Sequence, residues 1–136
     1  MIRVFLKSKE EKEVQQGFPW VFDNEISHIK YQENEKSEWK VESLSEAKIT
    51  DGSVVEVFTK AGGFLGTGVI NRKSKITVRI ISNEHQNIVM EDTYNFWEKR
   101  VKNAIELREI YYKKNDSYRL IFAEADLIPG FICERF

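Results

Sequence analysis

One cysteine, two prolines and two histidines are scattered over 136 residues. A single cysteine, Cys133, excludes an internal disulfide, and a reducing, cytoplasmic location is the expectation. His28, His85 and Cys133 have no metal-ligand spacing, so no metal is expected. No apolar run approaches the roughly 18 residues that a membrane span needs, so no segment is expected to cross a bilayer. The first nine residues carry Arg3 and Lys7 around an apolar stretch too short for a secretory signal. Neither charge sign is in excess: 21 basic residues face 22 acidic ones. That balance excludes a wholly basic nucleic-acid binder and leaves room for a local basic patch. The length suits one domain, or one and part of a second.

What is present is organised around Gln16–Phe22, Gln-Gly-Phe-Pro-Trp-Val-Phe. Ser8 and Glu11 have capping-box spacing, which predicts a short helix over Lys9–Gln16. Gly17 can take the positive φ that closes a helix, and Pro19 cannot continue one. Phe18, Trp20 and Phe22 then alternate along an extended segment and share one side of it. Such a corner either fills a core or presents a ring to a partner. Core filling is the default for Trp20 and Phe22.

Around the corner, the pattern is mostly β. Ile2–Leu6 reads as a strand with Ile2, Val4 and Leu6 on one face. Glu25–Tyr31 reads as another. Residues 33–48 are polar and charge-rich, which predicts a long, mobile surface insertion. Val54–Thr59 and Phe64–Ile70 flank Ala61-Gly62-Gly63 and read as a hairpin. Gly66 and Gly68, two apart, let the second strand bend or let another backbone approach. From Lys75 to Ile81 the alternation is strict: Ile76, Val78 and Ile80 face one way, Lys75, Thr77 and Arg79 the other. Arg72 and Lys73 precede this strand, and no acid interrupts it. A sheet face with spaced cations and a dry back suits a phosphate track. It also suits a solvated edge that deters aggregation.

After a connector over 83–90, Asp92 is placed to cap a long helix ending near Lys113, with Tyr94, Trp97, Val101, Ala104, Ile105 and Tyr112 on one stripe. Tyr118–Ala123 and Phe131–Phe136 flank the turn Ile128-Pro129-Gly130 and read as a second hairpin. One helix and one hairpin are too little for a closed core. Residues from Asp92 onward therefore read as the opening of a second domain, in a fragment of a longer protein.

Several stretches in order carry a resemblance: Gly17-Phe18-Pro19-Trp20-Val21-Phe22, Asp51-Gly52, Phe64-Leu65-Gly66-Thr67-Gly68, Ser74-Lys75-Ile76 with Val78-Arg79, and Ser117-Tyr118-Arg119-Leu120 leading into Ala123-Glu124-Ala125-Asp126-Leu127-Ile128-Pro129-Gly130. Together they resemble the N-terminal part of the RlmI-like, S-adenosylmethionine-dependent 23S ribosomal RNA cytosine-5 methyltransferases. The resemblance covers nearly all of the chain except 33–48. It implies an α+β, mostly β fold: a PUA-type pseudobarrel over 1–82, then a linker helix and the first hairpin of a truncated α+β linking domain over 83–136. It also implies a catalytic domain outside this chain, with S-adenosylmethionine as that domain's cofactor and none here.

By position, the resemblance puts RNA contacts at Gln16, Gly17, Phe18 and Trp20 on the corner and at Lys75 and Arg79 on the basic strand. Lys7, Lys9, Arg72 and Lys73 are added as phosphate contacts. No residue is expected to be catalytic. Cys133, beside a turn, reads as structural, and Glu124 and Asp126 read as organisers of their turn or of a domain interface. Ribosomal RNA is the implied partner. The competing reading is an interdomain scaffold or a homodimer formed through the open hairpin edge.

Overall fold

The computed structural model describes all residues, 1–136. Its contacts divide the chain into two units, Met1–Gln86 and Asn87–Phe136.

The first unit is one seven-stranded sheet. In chain order it contains β1 (Ile2–Leu6), α1 (Lys12–Gln15), β2 (Trp20–Phe22), a 3₁₀ turn at Asp23–Glu25, β3 (Ile26–Tyr31), β4 (Lys40–Glu42), β5 (Val54–Phe58), β6 (Phe64–Ile70) and β7 (Ile76–Ser82). The strand order is β2-β7-β6-β5-β1-β3-β4. The β1–β5 pair is parallel and the other pairs are antiparallel. Val21 from the β2 edge and Ile29 from near the opposite edge belong to one buried cluster with Val4, Leu6, Val57 and Val78. Strands that distant in the order meet in one core only because the sheet curls, giving a mostly β half-barrel.

Gly66 and Gly68 make the curl possible. A Cβ on Gly66 would lie 2.9 Å from the Ser82 carbonyl oxygen, and one on Gly68 would lie 2.6 Å from that of Arg79. The neighbouring backbone, β7, therefore occupies the space that a side chain would need, and the β6–β7 pairing shifts register between Thr67 and Gly68. Buried Glu56, on β5, is satisfied at 2.9 Å by His85 Nδ1 and at 3.0 Å by the Gln86 N–H.

Three expectations are corrected here. The helix begins at Lys12, not Lys9, because Lys9 takes a left-handed φ of 74° and its N-cap Glu11 makes no side-chain cap bond. The Ser8–Glu11 capping box is therefore not formed. The segment 33–48 is not featureless loop: β4 pairs with β3, and the Tyr31 hydroxyl donates to Glu42 at 2.7 Å and accepts from the Lys48 N–H at 3.3 Å. Finally, the β7 alternation does not separate a wet face from a dry one. Thr77 and Ile81 on one side and Val78 on the other are all buried, because the curled sheet covers both sides of this strand.

The connector contains a short helix, α2 (Gln86–Glu91), and in the second unit α3 runs Thr93–Tyr111 with Asp92 accepting the Asn95 N–H at 3.0 Å as its N-cap. β8 (Tyr118–Phe122) and β9 (Ile132–Arg135) form an antiparallel hairpin around a 3₁₀ turn at Ala123–Asp126. Ala104, Ile121 and Ile128 are the buried centre, with Trp97, Val101, Leu120 and Cys133 packed on them. The apolar stripe of α3 is therefore buried only in its middle; Tyr94 and Tyr112 are exposed. Arg108 grips Asp126 in a fork, Nη1 to Oδ1 at 2.8 Å and Nη2 to Oδ2 at 2.6 Å. Asp126 Oδ2 also accepts the Phe122 N–H at 2.7 Å. This acid organises its turn.

Candidate nucleic-acid interface

The corner is built by backbone chemistry first. α1 ends with the Phe18 N–H donating to the Glu13 carbonyl and the Gly17 N–H to that of Val14, both at 3.0 Å. With Gly17 at φ 92° this is a Schellman closure. It swings Phe18 outward, where the residue stays 40% exposed. The Pro19 carbonyl then accepts the Ile80 N–H at 2.7 Å, which starts the β2–β7 ladder.

Phe18 meets Trp20 edge-to-face with ring centroids 5.5 Å apart, and Trp20 meets Phe22 at 6.5 Å. Trp20 and Phe22 are half-buried, and the core contact on β2 is Val21 between them. The three aromatics therefore form a row along one side of the strand, with the ring before Pro19 the most open. Trp20 lies opposite Arg79 in the register.

Sequence reasoning did not identify the residue that fixes the far end of the corner, Glu25. Its carboxylate accepts the Phe22 N–H at 2.7 Å. Burial raises its pKa, opposed by that hydrogen bond, with Glu10 and Glu13 adding to the rise. The signal was available: Glu25 stands three residues after Phe22, the reach-back spacing of a capped turn.

The ten expected contact residues separate into groups. Gln16, Gly17 and Phe18 are exposed at the tip. Lys9, Lys73 and Lys75 are exposed, and their ammonium groups form no ion pair. Lys75 adjoins the corner, since the Asp23 N–H donates to its carbonyl at 3.0 Å. Lys7 is exposed but leans on the Asn24 carbonyl at 2.6 Å. Arg79 is half-buried, with Nη1 donating to the Ile76 carbonyl at 2.9 Å. Arg72 is turned into the domain. Its guanidinium donates at 2.6 Å to the carbonyls of both Ala47 and Ile49 and at 3.3 Å to Asp51. It anchors the 47–51 segment, and its hydrogen-bonding capacity is largely used by the chain itself.

Lys7 and, some way along the chain, the adjacent Arg72 and Lys73 line one open cleft of about 660 Å³. Its other walls include Asp23, Ile26, Ser43, Leu44, Ser45 and Asp51. Asp51 is held below its ordinary pKa, first by the Arg72 N–H at 2.9 Å, against a burial cost, and then by the Arg72 and Lys73 charges. The cleft was not legible in the sequence, because its Ser43–Ser45 wall comes from the segment read as loop.

Residues 4–83 match the family model described as a PUA-like domain. Among curated relatives, the Ribosomal RNA large subunit methyltransferase I of Vibrio campbellii is 31% identical over 98% of this chain and 29% of its own length. That of Shewanella frigidimarina is 29% identical over 99% of this chain and 30% of its own length. The chain thus spans about 30% of the length of these relatives. Two solved structures share the fold over 98% of this chain and 30% of theirs: a putative SAM-dependent methyltransferase from Streptococcus mutans, at TM-score 0.65 and 19% identity, and a putative methyltransferase complexed with SAH, at 0.67 and 18%.

Proposed function

The chain belongs to the PUA-like domain family, and from that premise we propose that it binds RNA as the N-terminal region of an S-adenosylmethionine-dependent ribosomal RNA cytosine-5 methyltransferase. Residues 1–82 are the RNA-binding domain, and 83–136 are the linker helix and the opening of the next domain. The region positions ribosomal RNA for a catalytic domain outside this chain, in the cytoplasm.

The observation that carries this reading is the pairing of an outward ring at Phe18 with unpaired ammonium groups at Lys73 and Lys75 in the same small half-barrel. Aromatic faces stack on unpaired bases, and cations supply the sequence-independent affinity for phosphate. The names of the relatives, which specify ribosomal RNA, favour that polyanion over others.

S-adenosylmethionine does not fit the residues of this chain. Its glycine-rich stretch, Gly62-Gly63-Phe64-Leu65-Gly66, leads from the β5–β6 turn into a strand, whereas a cofactor cradle opens a helix whose N–H groups face the ligand. Cys133 packs on the hydrophobic centre of the second unit and is not poised as a nucleophile. Methyl transfer is therefore assigned outside these residues.

Filter binding of structured ribosomal RNA at two salt concentrations tests the proposal. Engagement of three or four phosphates gives a slope of log affinity against log salt of about −2 to −3. Salt-independent binding, or none, removes the proposal. A second reading, self-association or interdomain scaffolding, is favoured by the exposed Phe122, Phe131, Ile132 and Phe136 on and beside the β8–β9 hairpin. Light scattering that shows a strict monomer at high concentration excludes the self-association arm.

A further inference from the structure

The cleft beside the corner has a composition that the RNA reading does not by itself explain. Arg72 and Asp51 neutralise each other across 3.3 Å, and Arg72 is also committed to two carbonyls. That leaves Lys7 and Lys73 against Asp23, a net charge of +1 at the mouth. Lys73 has no partner for its ammonium group, and Asp23 uses one carboxylate oxygen, Oδ1, for the Asn24 N–H at 2.7 Å.

Part of the lining comes from a turn in the segment 43–47. The Ala47 and Glu46 N–H groups both donate to the Ser43 carbonyl, at 3.0 and 3.2 Å, and Ser43 Oγ donates to Glu46 at 2.7 Å. Arg72 pins this turn to the barrel through Ala47 and Ile49. The turn thereby holds Leu44, half-buried, and Ser45 in the lining of the same cleft as the cations. A purely electrostatic phosphate track has no use for an apolar wall, the hydroxyls of Ser27, Ser43 and Ser45 and a spare carboxylate oxygen. A volume near 660 Å³ is within the range of small-molecule sites.

We propose that this cleft takes one unpaired nucleotide of the bound RNA, with a phosphate on Lys7 and Lys73, the flat base against Leu44, and a sugar or base donor on Asp23. The proposal rests on the RNA-binding reading and adds a single-nucleotide site to it. The cleft begins where the aromatic corner ends, at Asp23, whose N–H is bonded to the Lys75 carbonyl. A strand stacked on Phe18 and crossing Lys75 is thus directed to it. Extruded nucleotides are recognised by this combination of charge, apolar contact and hydrogen-bond groups.

Amide NMR titration of the whole chain with each of the four 5′-ribonucleoside monophosphates tests this, with inorganic phosphate as the control. The expected result is saturable shifts at Lys7, Ser43, Leu44, Ser45 and Lys73 with at least one nucleotide, and much weaker ones with phosphate. S45W, which fills the cleft without changing charge, should weaken the nucleotide at least tenfold while its own spectrum reports the fold. Asp23→Asn is the second variant and should weaken it without adding bulk. Equal shifts with phosphate alone would reduce the cleft to an anion site and overturn the proposal. Shifts confined to Phe18 and Trp20, with long RNA still bound, would overturn it and leave the RNA reading standing. Loss of both mononucleotide and long-RNA binding would remove the two together.

Discussion

Trp20 stands directly across from Arg79 in the β2–β7 ladder. The two belong to features far apart in the chain, an aromatic corner and a cationic strand, and the register makes them neighbours. The pairing is enforced from both sides. The Schellman closure at Gly17 and the Pro19 carbonyl bond to Ile80 set where β2 begins. Gly66 and Gly68 let β7 come close enough on its other side to curl the sheet. Trp20 and Arg79 are therefore held on regular strands, and Phe18, Lys73 and Lys75 stand in the short connections that lead into those strands, which lowers the entropy lost when a polyanion binds.

Reversing two charges isolates the electrostatic part of binding. The double variant Lys73→Glu and Lys75→Glu alters exposed side chains that make no ion pairs in the protein, so the melting temperature should hold. Affinity for structured RNA should fall at least tenfold at moderate salt, and the salt slope should shrink by about 1 to 2. Filter binding across a salt series measures both. An unchanged slope would move the phosphate track elsewhere.

Phe18 and Trp20 should separate under substitution. Phe18→Ala removes an exposed ring, so RNA binding should weaken by about 1–3 kcal/mol with little effect on stability. Trp20→Ala removes a half-buried ring that contacts both neighbours and should lower both stability and affinity. Calorimetric melting beside RNA titration distinguishes the two. Equal destabilisation by both variants would show the tip to be packing and not platform.

Acid should loosen the cleft wall through Asp51. Its pKa is depressed in the folded protein, by the Arg72 N–H before any other group. A depressed carboxylate stabilises the fold above its unfolded pKa, about 3.9, and that contribution is lost as pH falls through the lower folded value. In that window the unfolded chain binds more protons than the native one. The melting temperature of the native sequence should therefore drop more steeply below about pH 4 than that of Asp51→Asn. Parallel pH profiles would detach Asp51 from the stability of the wall.

The sequence was most legible where one residue dictates local geometry. Gly17, Pro19, the Gly62-Gly63 turn and the glycine pair at 66 and 68 were each readable, because a missing side chain or a fixed φ leaves few alternatives. The Arg119–Gly130 run was readable for its turn, and Asp126 does organise it from beneath, with its side chain only 4% exposed and Arg108 clasped to it. The Arg108 half of that clasp came from α3 and had no local mark. Legibility failed where tertiary curvature overrode local pattern. Strict alternation over 75–81 suggested one wet face, but a curled sheet buries Thr77 on the supposed wet side. Polar composition over 33–48 suggested loop, but Tyr31 and Arg72, distant in sequence, fold parts of it into strand and wall. Arg72 shows the same limit: its charge suggested a ligand, and its neighbours made it an anchor.

The glycine at position 68 couples the fold to the interface most directly. An alanine Cβ there would stand 2.6 Å from the Arg79 carbonyl oxygen and 2.8 Å from Val78 Cγ1. Neither distance is tolerable, and backbone cannot rotate away as a side chain tip can, so β7 must retreat from β6 at the residue that faces Trp20. Overpacking of this kind costs about 1–3 kcal/mol. At roughly 4–8 °C per kcal/mol for a domain this small, Gly68→Ala should lower the melting temperature by several degrees or more. Because the retreat is transmitted to the corner, RNA affinity should fall as well, although no contact residue is touched. Gly62→Ala is the control. Its φ of 94° makes alanine strained, yet nothing lies within 4 Å of the added carbon. That variant should lose about 1–2 kcal/mol of stability and keep its RNA affinity below the melting range. If the two variants bind RNA equally well while folded, β7 yields without moving the corner, and the curl of the sheet is not what holds the rings in place.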